Sequence, residues 1–114
     1  MKEIFPEAIR ELPESDIPIQ GVTAFLSQDK YHQIVFMHFS KDAEVPVHSH
    51  GAQWGIVLEG KITLTVERKE QTYTKGDRFY ILEGEKHSAK IHAGYASMEF
   101  FADKGRYKIK DKNN

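Results

Sequence analysis

The stretch Pro46-Val47-His48-Ser49-His50-Gly51-Ala52-Gln53-Trp54-Gly55-Ile56-Val57-Leu58-Glu59-Gly60 decides the reading of this chain. His48 and His50 are two apart, so in an extended segment their imidazoles share one face. Two imidazoles side by side can hold one metal ion. A third histidine, His87, closes the later stretch Gly76-Asp77-Arg78-Phe79-Tyr80-Ile81-Leu82-Glu83-Gly84-Glu85-Lys86-His87. Between the two, Lys61-Ile62-Thr63-Leu64-Thr65-Val66-Glu67 alternates with a strict period of two. Ile62, Leu64 and Val66 are expected to face a core, with Lys61, Thr63, Thr65 and Glu67 on the other side. The expectation is a small β domain with a metal site inside it.

Outward from this region the code stays β. Residues 22–26, 31–39, 54–58, 72–74, 79–82, 88–92 and 96–101 are rich in β-branched and aromatic side chains and read as strands. Ser27-Gln28-Asp29-Lys30 and Ser40-Lys41-Asp42 are turn chemistry, and Arg68-Lys69-Glu70-Gln71 turns the chain at a charged, solvated hairpin tip. Short strands at regular spacing predict an all-β sandwich or barrel. The barrel is assigned to residues 21–103, after an N-terminal segment of residues 1–20 and before a basic C-terminal tail or edge strand of residues 104–114. Pro6-Glu7-Ala8-Ile9-Arg10-Glu11-Leu12 predicts a short helix, with Phe5, Ile9 and Leu12 along one side and Pro13 stopping it. With Ile17 and Ile19, this segment carries more apolar residues than a free tail should. It is expected to cover a sheet edge or to cross to a second subunit in a homodimer. The acidic head and basic tail read as two independent, solvated ends.

A chain of 114 residues makes one domain with a sizeable core. Its net charge of −1 offers no argument for nucleic acid or a membrane as partner. No apolar run is long enough to cross a bilayer, and the first residues lack the apolar stretch of a signal peptide, so a cytoplasmic address is expected. There is no cysteine, which leaves imidazole, carboxylate, amide and water as metal ligands.

The two quoted stretches resemble the paired motifs of the cupin superfamily. The first motif of that family runs glycine, five residues, His-x-His, three or four residues, glutamate, six residues, glycine. His48, His50 and Gly60 match it, Asp42 stands at the opening glycine, and Gln53 stands at the glutamate, with one residue fewer before it. In the second motif Gly76, Gly84 and His87 fall in register, while Leu82 replaces a proline and Ile91 an asparagine. The resemblance implies a double-stranded β-helix, the jelly-roll barrel, with one divalent ion (Fe, Zn, Mn or Ni) held by His48, His50, Gln53 and His87. Glutamine offers a neutral carbonyl oxygen where the family has a carboxylate. That exchange leaves the site one unit more positive, which lowers affinity for the metal and favours an anionic ligand.

His38, Trp54, Tyr80, Met98 and Phe100 are candidate pocket residues, with His38 a candidate base. Two uses of the site follow. One is an enzyme acting on a small molecule, as a dioxygenase with iron or as a Lewis-acid isomerase or lyase with another metal. The other is a non-catalytic barrel that binds or senses a small ligand.

Overall fold

The computed structural model describes residues 3–111, and nearly all regular structure in it is β. A short helix, α1 (Glu7–Arg10), is followed by β1 (Ser15–Asp16), β2 (Val22–Gln28), β3 (Gln33–Phe39), β4 (Ala43–His48) and β5 (Gln53–Glu59). Then come β6 (Lys61–Val66), β7 (Lys69–Thr74), β8 (Arg78–Ile81), β9 (His87–Ile91), β10 (Ala96–Phe101) and β11 (Lys108–Ile109). A five-stranded sheet, β2-β3-β10-β5-β8, faces a four-stranded sheet, β4-β9-β6-β7. Every pairing is antiparallel. This is the jelly-roll barrel that the alternation and the motif spacing predict. No helix among the described residues is long and apolar enough to cross a membrane.

The core fills the space between the sheets. Ile62 and Leu64 on β6 are buried, as their period-two placement requires, and Val66 packs beside them half-buried. Opposite them, Val35, Met37 and Phe39 of β3, Val57 of β5 and Phe101 of β10 point inward. Gly60 makes the tight passage from β5 to β6 possible. Its φ is +73°, and a Cβ there would lie 2.8 Å from both Cα and N of Tyr95.

Two local expectations are corrected. The β6–β7 hairpin turns on Glu67 and Arg68 alone, with φ of 46° and 75°, so β7 begins at Lys69 rather than at residue 72. Two positive φ values in a two-residue loop match the twist of the flanking strands. No glycine or asparagine marks the turn, so the charged run located the hairpin but not the two residues that make it. The helix covers Glu7–Arg10, shorter than residues 6–12, and Leu12 lies beyond it.

The chain ends are not independent either. Phe5 is buried against Phe25 and Phe36 at ring distances of 6.3 and 5.9 Å. The Leu26 amide donates to Pro13 O at 2.8 Å, and Glu14 bridges to Phe25. The N-terminal segment therefore lies along β2, the edge of its own five-stranded sheet. β1 then pairs with β11, and Lys110 Nζ reaches Glu14 Oε2 at 3.1 Å.

Candidate metal centre

His48 ends β4 and His87 opens β9, and the two are register partners in the four-stranded sheet. His50 sits in the loop between β4 and β5. One ring nitrogen from each of the three lies within 4.8 Å of the others. The Nδ1–H of each ring donates to a nearby carbonyl: His48 to Pro46 O at 2.9 Å, His50 to Gly51 O at 2.7 Å and His87 to Glu85 O at 3.0 Å. A neutral imidazole carries one N–H, so each Nε2 is left as an acceptor. Two of these, on His50 and His87, face each other at 3.2 Å.

Lone pairs at that distance repel unless a cation stands between them. Two nitrogens each about 2.1 Å from one ion stand roughly 3.0–3.4 Å apart at right-angle to tetrahedral coordination. The three histidines can therefore hold a divalent ion, and the backbone carbonyls already orient them as outer partners do in metal sites. Desolvation by burial holds His50 and His87 below the ordinary histidine value of 6.5, and the positive charge of Arg106 acts the same way. Both effects favour the neutral form that a metal needs.

A cavity of about 380 Å³ opens beside the cluster. Its walls are apolar, with Met37, Phe39, Ile62, Phe79, Ile81, Ile91 and Phe101 among them. The polar groups facing it include His48, His87, Gln53, Glu99 and Arg106. Gln53 is buried on the inner face of β5, and its Nε2 donates to Glu99 Oε1. Glu99 Oε2 accepts from Ser97 Oγ at 2.6 Å and from Tyr95 Oη at 3.2 Å. Burial pushes the Glu99 carboxyl above its ordinary range, and these donors pull against it.

Arg106 stands at the rim. Its Nη2 is 3.5 Å from His48 Nε2, and its guanidinium stacks on Tyr107 at 4.3 Å. Its Nε is buried and has no partner among the described residues. Gln33, fully buried on β3, holds this loop in place. Gln33 Nε2 donates to Lys104 O at 2.9 Å and Tyr107 O at 2.8 Å, and its Oε1 accepts from the Tyr107 amide at 3.0 Å. Asp103 of the same loop accepts from the Gly51 amide at 2.7 Å, tying Arg106 to the His50 loop.

The structure brings together His48, His50 and His87, with Gln53 on the wall of the adjoining cavity. The other five candidates lie elsewhere. His38, Trp54, Tyr80, Met98 and Phe100 occupy the outward parity of β3, β5, β8 and β10, and none lines the cavity. The five-stranded sheet is apolar on both faces, so aromatic content did not distinguish inside from outside. Glu99, Ser97, Arg106 and Gln33 were not singled out from the sequence. Parity along β10 could have flagged Glu99, since it shares a face with Phe101.

The chain matches the family model "Cupin domain" over residues 35–102, more than half its length, and it belongs to the cupin family. No curated protein matches it by sequence. Among solved structures it is similar to an RmlC-like cupin from Shewanella frigidimarina, with 25% identity and a TM-score of 0.74, covering 92% of this chain and 94% of that one. It is also similar to KdgF from Halomonas sp., at 18% identity and a TM-score of 0.71, covering 92% and 97%. A third similar structure is oxalate decarboxylase from Bacillus subtilis, at 19% identity and a TM-score of 0.70. There the match covers 92% of this chain and 30% of the other.

Proposed function

We propose that this cupin is a metal-dependent enzyme acting on a small carboxylate by Lewis-acid chemistry of the isomerase or lyase kind. The observation that carries the reading is the set of three convergent Nε2 acceptors beside an arginine with an unpartnered, buried Nε. His48, His50 and His87 hold one divalent ion in this reading, with Gln53 Oε1 as the fourth protein donor. When bound, that ion supplies Lewis acidity to a substrate oxygen.

The rest of the chemistry is the chain's own. Arg106 presents a planar fork of donors that matches a carboxylate. Its Nη2 now sits against His48 Nε2, and that nitrogen serves either the guanidinium or a metal. With His48 committed to the ion, the fork is released to an anion, whose charge offsets the two cations. The apolar walls exclude water and strengthen these contacts. The cavity volume suits a molecule of metabolite size. The oxalate decarboxylase likeness supports a small carboxylate as ligand in this fold.

The test is a screen of small hydroxy- and keto-carboxylates with protein loaded in turn with Mn²⁺, Ni²⁺, Zn²⁺ and Fe²⁺. Turnover without O₂ supports the reading, and turnover only with iron and O₂ replaces it with a dioxygenase. Tight carboxylate binding without turnover replaces it with a sensing barrel. We also propose a homodimer, because Tyr80, Leu82 and Phe100 stay exposed on the outer face that the N-terminal segment does not cover. Sedimentation at micromolar concentration decides this, and a monomer refutes it.

A further inference from the structure

Glu99 is a buried carboxyl, 4% exposed, on the inner face of β10. Its two oxygens are met by three donors: Gln53 Nε2 on one, Ser97 Oγ and Tyr95 Oη on the other. Gln53 meets this carboxyl with its amide nitrogen, which donates to Glu99 Oε1 and leaves the amide carbonyl oxygen turned away from it. That oxygen accepts no hydrogen bond from the described residues. Nor is it among their buried unpartnered side-chain atoms, which are Ser15 Oγ and Arg106 Nε. It therefore reaches the cavity that His48 and His87 also line. An amide nitrogen has no lone pair for a metal, whereas the amide oxygen has two. Which end faces the histidines decides whether Gln53 can be a ligand at all.

We infer that Glu99 is a positioning residue for the metal centre. It locks the Gln53 amide with its oxygen toward the histidines, and it places behind Gln53 the carboxylate that other cupins carry at the ligand position itself. The inference rests on the metal-centre reading above. Two neighbouring strands build the pair: Gln53 stands opposite Phe101 and Glu99 opposite Gly55, so the two side chains bridge diagonally between β5 and β10. Ser97 and Tyr95 brace the carboxylate from its other side.

The experiment titrates Co²⁺ into the full chain, followed by calorimetry and visible absorption. Glu99→Gln keeps the shape but can offer Gln53 a donor, so the amide is no longer locked. Affinity should fall by about ten- to a hundred-fold, as for other outer partners of metal ligands. The Co²⁺ bands should shift, while a purely structural role would leave the ligand field of the folded protein unchanged. Gln53→Ala should lose a similar amount, and adding Glu99→Gln to it should cost little more, because the two act as one unit. The exchange Gln53→Glu with Glu99→Gln should restore affinity. In the parent protein, which needs no substitution to fold, Zn²⁺ should shift the Gln53 Cδ resonance and leave the Nε2 protons hydrogen-bonded. Parental affinity and spectrum in Glu99→Gln, or an unmoved Gln53 Cδ, overturns this inference alone. Absence of Co²⁺ binding by the parent, or binding that survives His48→Ala, overturns the metal-centre reading with it.

Discussion

The two walls around the candidate site are built by different means. On the four-stranded sheet and its loop, each histidine is oriented by a carbonyl one or two residues away. On the five-stranded sheet, Gln53 is oriented by Glu99, 46 residues away, and only because β5 and β10 pair in the right register. The first wall is encoded locally. The second is a buried carboxyl network whose geometry depends on the whole barrel. A slip of one residue between β5 and β10 would send one of its members to the outer face. The first wall is therefore expected to govern metal binding with little bearing on stability, and the second to govern both.

The largest expected effect tests the first half of that contrast. His87→Ala should weaken divalent metal binding by more than about a hundred-fold, beyond the loss typical of an outer partner. Calorimetry measures the affinity, and a loss below tenfold would remove His87 from the ligand set. The same variant should change the apo melting temperature less than the next one.

Glu99→Ala leaves the buried Gln53, Ser97 and Tyr95 without their shared acceptor. A buried donor left unsatisfied costs about 1–3 kcal/mol, so this variant should unfold at clearly lower denaturant concentration. If His87→Ala is the more destabilising of the two, the division of labour between the walls is wrong.

Arg106 touches both walls and sharpens the comparison. Arg106→Gln should weaken malonate binding to the metal-loaded protein by about tenfold, the scale of one charged hydrogen bond. Without malonate its metal affinity should stay level or rise, because a cation beside His48 has been removed. Parallel losses of metal and malonate binding would mean that Arg106 serves the fold.

The smallest effect is on pH. His50 and His87 have pKa values lowered from 6.5, so both imidazoles remain mostly neutral at pH 6.5. Between pH 7.5 and 6.5 proton competition should cost less than about twofold in metal affinity for each of them. The loss becomes steep only as pH falls further, through the lowered values. A steeper fall above pH 6.5 would show that these histidines are not held neutral.

The legible part of the site was the part held by short-range geometry. The two-apart spacing of His48 and His50 and the cupin resemblance that puts His87 in register named all three histidines, although His50 sits in the loop after β4 and not on the strand. The illegible part was set by parity and by contacts across the chain. Met98 and Phe100 looked like pocket residues and Glu99 did not, although Glu99 is the one that faces inward. The sheet packs core on one side and the N-terminal segment on part of the other, so apolar residues mark both faces. The C-terminal segment reads as a basic tail or an edge strand, and it forms the short strand β11, but nothing near Arg106 in sequence shows that Gln33 will clamp its loop.

The sequence by itself determined the all-β class, the inward stripe of Ile62 and Leu64, and the pairing of His48 with His50, while the cupin resemblance added His87. These follow from a backbone period of two and from turns at fixed offsets, which act within a strand or a hairpin. Only the tertiary structure decided that Glu99 holds the amide nitrogen of Gln53, that Ser97 and Tyr95 share that carboxyl, and that an arginine from the last loop reaches the rim. The first and the last of these depend on hydrogen bonds between residues 46 to 74 positions apart, formed once the sheets have closed on one another.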